Sequence, residues 1–420
     1  MQSALLIITA CLVAFLSTVG AALPYPILPP LFAADAANNL NHFLGLPPKL
    51  LFGVALAINP VGLLIGSALL GPLSDRFGRR PVLLLTSLGA AAGHAITAAS
   101  LIMQSYPLFI VARFATGLME GSGSVARALL ADELEGPLRV RAFSWLNGAL
   151  YMGWLAGPLL AGLTLHWGVT VPFWVAVAAM LVTAVASWVA IPRKKASGAS
   201  TGWWQVVKHQ HALKLLKHSE LRILLVVQLA LTCGVTAFYE FYPLWLVEVT
   251  HFDAQGIAWA TAALCATMTA ASMFAGRAVH SNPLQRASCF ALLTATCIAA
   301  VGLGGPTLGL LAIVVFGVPN AYYNAVMPVW CAERFGHLGQ GAVMGFLSTI
   351  FCLANILMAV LGSVLTLIDT RLILLVGAGL SAWAAWRIRQ WSRSPAFASP
   401  PKPAPALVSA PDSSPTVARP

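Results

Sequence analysis

Gly71-Pro-Leu-Ser-Asp75-Arg76-Phe-Gly78-Arg79-Arg80-Pro-Val-Leu83 places three arginines and an aspartate in a short turn between two long apolar runs. The flanking runs, near 51–71 and 82–102, each have the length of about 20 residues that a helix needs to cross the hydrocarbon of a bilayer. Gly71 and Gly78 permit close backbone approach, and Asp75 is placed to accept hydrogen bonds from a neighbouring helix N-terminus. The charges are confined to the turn and the runs on both sides carry almost none.

The rest of the chain repeats this pattern. Of 420 residues 59% are hydrophobic and 9% charged, and mean hydropathy is +0.82. A soluble domain carries roughly 25% charged residues, so most of this surface must face lipid. Apolar runs recur near 4–24, 51–71, 82–102, 108–129, 143–164 and 171–191, then near 222–246, 256–275, 284–303, 308–330, 341–366 and 371–390. These twelve spans are helices, because each must satisfy its own backbone hydrogen bonds in lipid; no segment alternates as a barrel strand would. The N-terminus opens MQSALLIITACLVAF and stays apolar to about Leu23, so it reads as the first span rather than a signal peptide.

If the side of the 72–81 turn is the inside, 21 of the 24 Lys and Arg residues fall there. Lys49 and Arg371 lie on the other side, and Arg113 lies within a span. That bias predicts both termini in the cytoplasm and an even number of spans in a cytoplasmic (inner) membrane. The net charge of +11 therefore reads as membrane topology, with no nucleic-acid partner implied. Residues 192–221, with Trp203, Trp204, Lys208, Lys214 and Lys217, form a cytoplasmic linker suited to an anionic lipid surface. It divides the chain into an N-terminal six-helix bundle (1–191) and a C-terminal one (222–391), and a Pro/Ala/Ser-rich tail at 392–420 is predicted to be disordered. The halves are faintly alike: LADELEGPLRVRAFSWLNGAL and WCAERFGHLGQGAVMGFLSTI both set an acid–base loop before a span rich in small residues. The seven cysteines fall in or beside apolar runs and form no CxxC, so neither disulfide nor metal site is expected.

Two further motifs stand out. In span 4, Arg113, Gly117 and Gly121 recur every fourth residue on one face, and an arginine there is costly unless it faces a polar cavity or snorkels to the surface. In span 5, Gly153-Trp-Leu-Ala-Gly157-Pro158-Leu-Leu-Ala-Gly162 combines small residues for close packing with a kink.

The turn, the 6+6 layout and these two motifs resemble the major facilitator superfamily, and within it the twelve-helix drug:proton antiporters of the multidrug and tetracycline efflux branch. The resemblance covers about residues 1–390 and implies an all-α membrane protein of two pseudo-symmetric bundles. It further implies that Gly71, Asp75, Arg76, Gly78, Arg79 and Arg80 form a conformational latch, Asp75 capping the start of span 11 and Arg79 meeting Asp132 or Glu133. Arg113 is implied in proton coupling, and Gly153, Gly157, Pro158 and Gly162 in the antiporter-type helix 5. Departures are Thr116 where a glutamine is common, Ala161 in place of a glycine, and the lack of an acid in span 1.

Two carboxylates lie within spans, Glu120 and Glu240, the latter in TAFYEFYPLW. Embedded ionisable groups mark proton and solute pathways, so both, with Arg113 and His94, are coupling candidates. Arg113 and Glu240 are expected at similar depth, facing each other or sharing water. A lone histidine such as His94 more often bonds a backbone carbonyl. Tyr25, Gln228, Tyr239, Tyr242, Asn320, Tyr323, Asn324 and Asn355 are candidates to line a solute cavity, or else to bond helix to helix.

The chain has no GxxxxGK[ST], HExxH or GxSxG, which argues against ATP as a direct energy source and against an enzyme. The leading expectation is a monomeric, proton-coupled carrier exporting a small organic or amphipathic compound, with no cofactor or metal. Proton-linked uptake of a metabolite or siderophore, and a non-transporting sensor of the same fold, are the alternatives.

Overall fold

The computed structural model describes residues 2–33, 38–192, 219–275, 282–335 and 340–394. The linker and tail expected at 192–221 and 392–420 fall mostly outside the described residues. The chain is helical: α1 (Gln2–Ala22), a short α2 (Leu28–Leu31), α3 (Pro48–Phe77), α4 (Arg79–Ile102), α5 (Tyr106–Glu120), α6 (Gly123–Glu133), α7 (Gly136–Thr164) and α8 (Val171–Ala190) form the first half. The second half holds α9 (Ser219–Thr250), α10 (Ala254–Ala275), α11 (Pro283–Leu303), α12 (Pro306–Phe335), α13 (Gln340–Leu365) and α14 (Thr370–Arg393). Counting α5 and α6 together, these long helices make twelve crossings. Ten of them are individually long and apolar enough to span a membrane.

Two expectations from the sequence change. The turn at 72–81 shrinks to one residue: α3 runs through Phe77 and α4 begins at Arg79, with only Gly78 between them. Its φ of 95° lies where an L side chain is strained, so glycine is required there. Span 4 is also not one helix. It breaks at Gly121–Ser122 into α5 and α6, because a Gly-Ser-Gly-Ser run at 121–124 offers little to hold a helix together.

Close backbone packing positions the site. Gly62 and Gly66 of α3 lie against Phe114 and Leu118 of α5, while Gly117 of α5 and Gly121 just past its end lie against Asn59 and Ser67 of α3. Four glycines spaced by four thus bring two backbones into contact. In α7, Gly153 and Gly157 seat α1 at Phe15, Thr18 and Val19, and Gly162 meets Ala258 of α10 across the halves. Pro158 lies inside α7, and Pro243, Pro319 and Pro328 lie inside α9 and α12.

The apolar cores are distributed unequally. At the end carrying Gly78, called here the loop end, each half has its own core: Leu6, Val13, Leu83 and Leu129 in the first, and Leu224, Ala287, Met327 and Ile388 in the second. At the opposite, far end one core draws on both halves, including Leu51, Phe52, Phe109, Phe238, Phe241, Trp245 and Met358. Phe52 meets Phe241 edge-on at 5.9 Å, and Trp154 meets Phe351 at 4.8 Å. Lys49 Nζ also bridges Glu248 Oε1 at 2.7 Å and donates to the Thr366 carbonyl at 2.6 Å. The halves are therefore joined at the far end, with separate cores at the loop end.

Candidate functional site

The latch residues sit at the loop end. Arg79 donates to Asp132 Oδ2 (Nε at 2.9 Å, Nη2 at 2.8 Å), and also pairs with Asp75 and Ser74. Arg80 lies over the Trp188 ring and Arg76 over Phe77. The partner implied for Asp75, the start of α13, falls where side-chain contacts lie outside the described residues. Asp132 is half exposed, and such bridges contribute about 1 kcal/mol or less. Asp132→Asn is accordingly expected to leave the yield of folded protein and its thermal midpoint unchanged, as detergent size-exclusion and melting curves would report. A large loss of folded protein would show that the bridge holds the fold rather than the loop.

Deeper in the first half lies a buried polar cluster. Glu120 is the last residue of α5, beside the break, and its carboxylate has a donor on each oxygen: His94 of α4 meets Oε1 at 3.0 Å, and Asn59 Nδ2 of α3 donates to Oε2 at 3.0 Å. Ser17 of α1 donates to the Glu120 carbonyl at 3.1 Å. His94 has no exposed surface and Glu120 is almost as fully buried. Buried polar groups persist only when hydrogen-bonded, and this cluster provides those bonds from three helices. Gly20 makes room for it; a Cβ there would meet His94 Nε2 at 2.7 Å. The sequence-based expectation that His94 bonds a backbone carbonyl is thus corrected, since its ring bonds a carboxylate. Asn59, unmarked by any motif, is the residue that sequence reasoning missed.

Arg113 and Glu240 are both buried, and they do not bond each other. Among the described residues, Arg113 Nε and Nη1 and both carboxylate oxygens of Glu240 have no hydrogen-bond partner. Tyr25 is within electrostatic reach of both and donates to Asn355 Oδ1 across the halves at 2.8 Å. A small cavity with room for about one water is lined by Tyr25, Asn59 and Arg113.

The remaining cavity candidates separate into pairs. Asn320 Nδ2 donates to Tyr239 Oη at 3.2 Å and Asn324 to Asn320 at 3.3 Å; Tyr323 Oη donates to Gln228 Oε1 at 2.7 Å. Tyr242 bonds Thr261 at 2.7 Å and stacks on Phe238 within the shared core, so it tethers α9 to α10.

Two six-helix halves around buried ionisable groups define a membrane carrier. The sequence pattern of the Major Facilitator Superfamily matches residues 10–358, and the chain belongs to that family. It is 32% identical over 176 residues to the class B tetracycline resistance protein of Escherichia coli and 34% identical over 148 residues to the class C protein. These matches span 41% and 35% of either chain, less than half the length of those relatives. Among solved structures, the human organic anion transporter MFSD10 superposes with a TM-score of 0.66 over 92% of this chain and 99% of its own, at 19% identity. A D-xylose–proton symporter does so with a TM-score of 0.70 over 91% and 96%, at 16% identity. At these identities the structures speak to the fold alone.

Proposed function

We propose that this protein exports a small organic, amphipathic compound in exchange for protons, by alternating access, from the cytoplasmic (inner) membrane. The single observation that carries the reading is the placing of Arg113, Glu120, His94 and Glu240 in the interior of a molecule whose halves, among the described residues, share a core at the far end. Bundles 1–191 and 222–391 rock about the buried polar groups at the centre, and the loop end, rich in Lys and Arg, faces the cytoplasm. Relatives named for tetracycline resistance favour export. Arg113 Nε and Nη1 and the Glu240 carboxylate, without hydrogen-bond partners among the described residues, are the groups for a solute or its counter-charge to meet. The partners are then the solute, protons and lipid, with one chain as the working unit.

The test uses everted vesicles with an imposed pH gradient and a panel of amphipathic compounds, tetracycline first. Addition of a transported compound is expected to discharge the gradient, and Glu240→Gln to lower that flux at least about tenfold, the effect of losing roughly 1.4 kcal/mol of interaction. If no compound moves protons through the wild-type protein, the carrier reading falls. Unchanged flux in Glu240→Gln removes only Glu240 from the scheme.

A further inference from the structure

We propose that His94 and Glu120, with Asn59 as a fixed donor, form one proton-binding site inside the first half, and that this pair rather than Glu240 loads and releases the coupled proton. The proposal rests on the carrier reading and names the site that serves it.

A proton carrier must be tolerated in two forms, charged and neutral. Glu120 has what both require. In the charged form its oxygens accept from Asn59 Nδ2 and from His94 Nε2, each at 3.0 Å. An added proton enters at His94 Nδ1, which has no hydrogen-bond partner among the described residues, and the Nε2 proton then passes along the existing contact to Glu120 Oε1; the net charge of the pair goes from −1 to 0 and both contacts are kept. Glu240, in contrast, has no donor for either oxygen among the described residues and stands among Phe238, Phe241 and Trp245 of the core that joins the halves.

Few other charges act on the pair. Helices α1 and α8 contain no Lys, Arg, His, Asp or Glu, and Cys11 of α1 lies more than a turn from Ser17 toward the loop end. On α3 the charged residues are Lys49 at the far end and Asp75 and Arg76 at the loop end, and on α4 they are Arg79 and Arg80 at the loop end. On α6, Arg127 is seven residues beyond Glu120, and Asp132 and Glu133 are further still. From the second half, Glu240 acts on Tyr25, which Arg113 also reaches. That leaves Arg113, on the same helix as Glu120 and within electrostatic reach of it, as the fixed charge that balances the unloaded pair.

The site also has a way in and a mechanical connection. Asn59 lines the cavity that Arg113 and Tyr25 share, so one residue joins that cavity to the Glu120 carboxylate. Glu120 ends α5 at the break, where its carbonyl is held by Ser17 of α1. A proton taken from the water on one side and released to the other therefore alters the charge at the point where α5 gives way to α6.

The experiment is an infrared pH titration of the purified full chain in lipid nanodiscs, following the C=O band of a protonated buried carboxyl. The wild type is expected to show such a band growing as pH falls. Glu120→Gln is expected to abolish it and Glu240→Gln to leave it. His94→Gln is expected to move its midpoint by at least about tenfold in proton concentration, the scale on which a direct partner acts. A band that persists in Glu120→Gln, or a midpoint unmoved by His94→Gln, overturns the proposal; should Glu120→Gln not fold, the His94→Gln midpoint decides alone. No solute is needed, so a wild type that carries nothing in vesicles would sink the carrier reading and leave this titration standing.

Discussion

Replacing Gly117 by valine is expected to remove a large part of the stability of the first half. A Cβ at this position runs into the Asn59 carbonyl and comes within 3.1 Å of Leu63 N, and the obstacle is backbone that no rotamer change can clear. Overpacking costs about 1–3 kcal/mol when side chains can adjust, and more when they cannot. Forcing α5 from α3 also removes the Asn59–Glu120 hydrogen bond, leaving a buried carboxylate one donor short at a further cost of about 1–3 kcal/mol. Against a typical total stability of about 5–15 kcal/mol, the sum is large. The measurement is the yield of monodisperse protein and its thermal midpoint in detergent. Gly379→Ala, where nothing lies within 4 Å of the added carbon, is the control and is expected to be neutral or stabilising by about 0.5–1 kcal/mol. Equal losses in the two variants would show that the α3–α5 contact is not the reason.

The second large effect concerns Lys49. Its ammonium is held by the Glu248 carboxylate and the Thr366 carbonyl, and the lysine belongs to α3 while both partners belong to the second half. A charge-assisted, partly buried contact of this kind contributes about 1.5–3 kcal/mol, discounted here because both side chains keep about a third of their exposure. A loss of about 1.4 kcal/mol changes an equilibrium tenfold. Lys49→Ala is therefore expected to raise the far-end-open population about tenfold. The readout is labelling by an impermeant maleimide of a cysteine placed at Ser363, which is buried against Gly53 in the closed arrangement, with the seven native cysteines replaced. The swap Lys49→Glu with Glu248→Lys is expected to restore slow labelling. Equal labelling in all three proteins would mean that the pair does not hold the far end shut.

The sequence carried the fold in two signals: apolar runs of membrane length, and a turn whose glycine the backbone at Gly78 requires. The buried face of α5 was also legible, because Arg113, Thr116, Gly117 and Glu120 fall at three- and four-residue spacing and all turn inward. What escaped was the pairing between helices. His94 and Glu120 are 26 residues apart and Asn59 and Glu120 are 61 apart, and no periodicity within one helix reveals that such side chains meet. Asn59 is one amide in an apolar run. Lys49 stood out only as one of two bases on the side opposite the 72–81 turn, since its role depends on Glu248 nearly two hundred positions away. The break after Glu120 did have a written sign, the Gly-Ser-Gly-Ser run, which hydropathy alone passes over.

The unequal division of the apolar cores has a calorimetric consequence. Parting the halves at the far end wets Phe52, Phe241 and their neighbours, in a core that both halves supply. Wetted apolar surface raises heat capacity, and the drive to bury it fades on cooling. Opening of the far end thus carries a positive heat-capacity contribution, and chilling weakens the drive that holds that end closed.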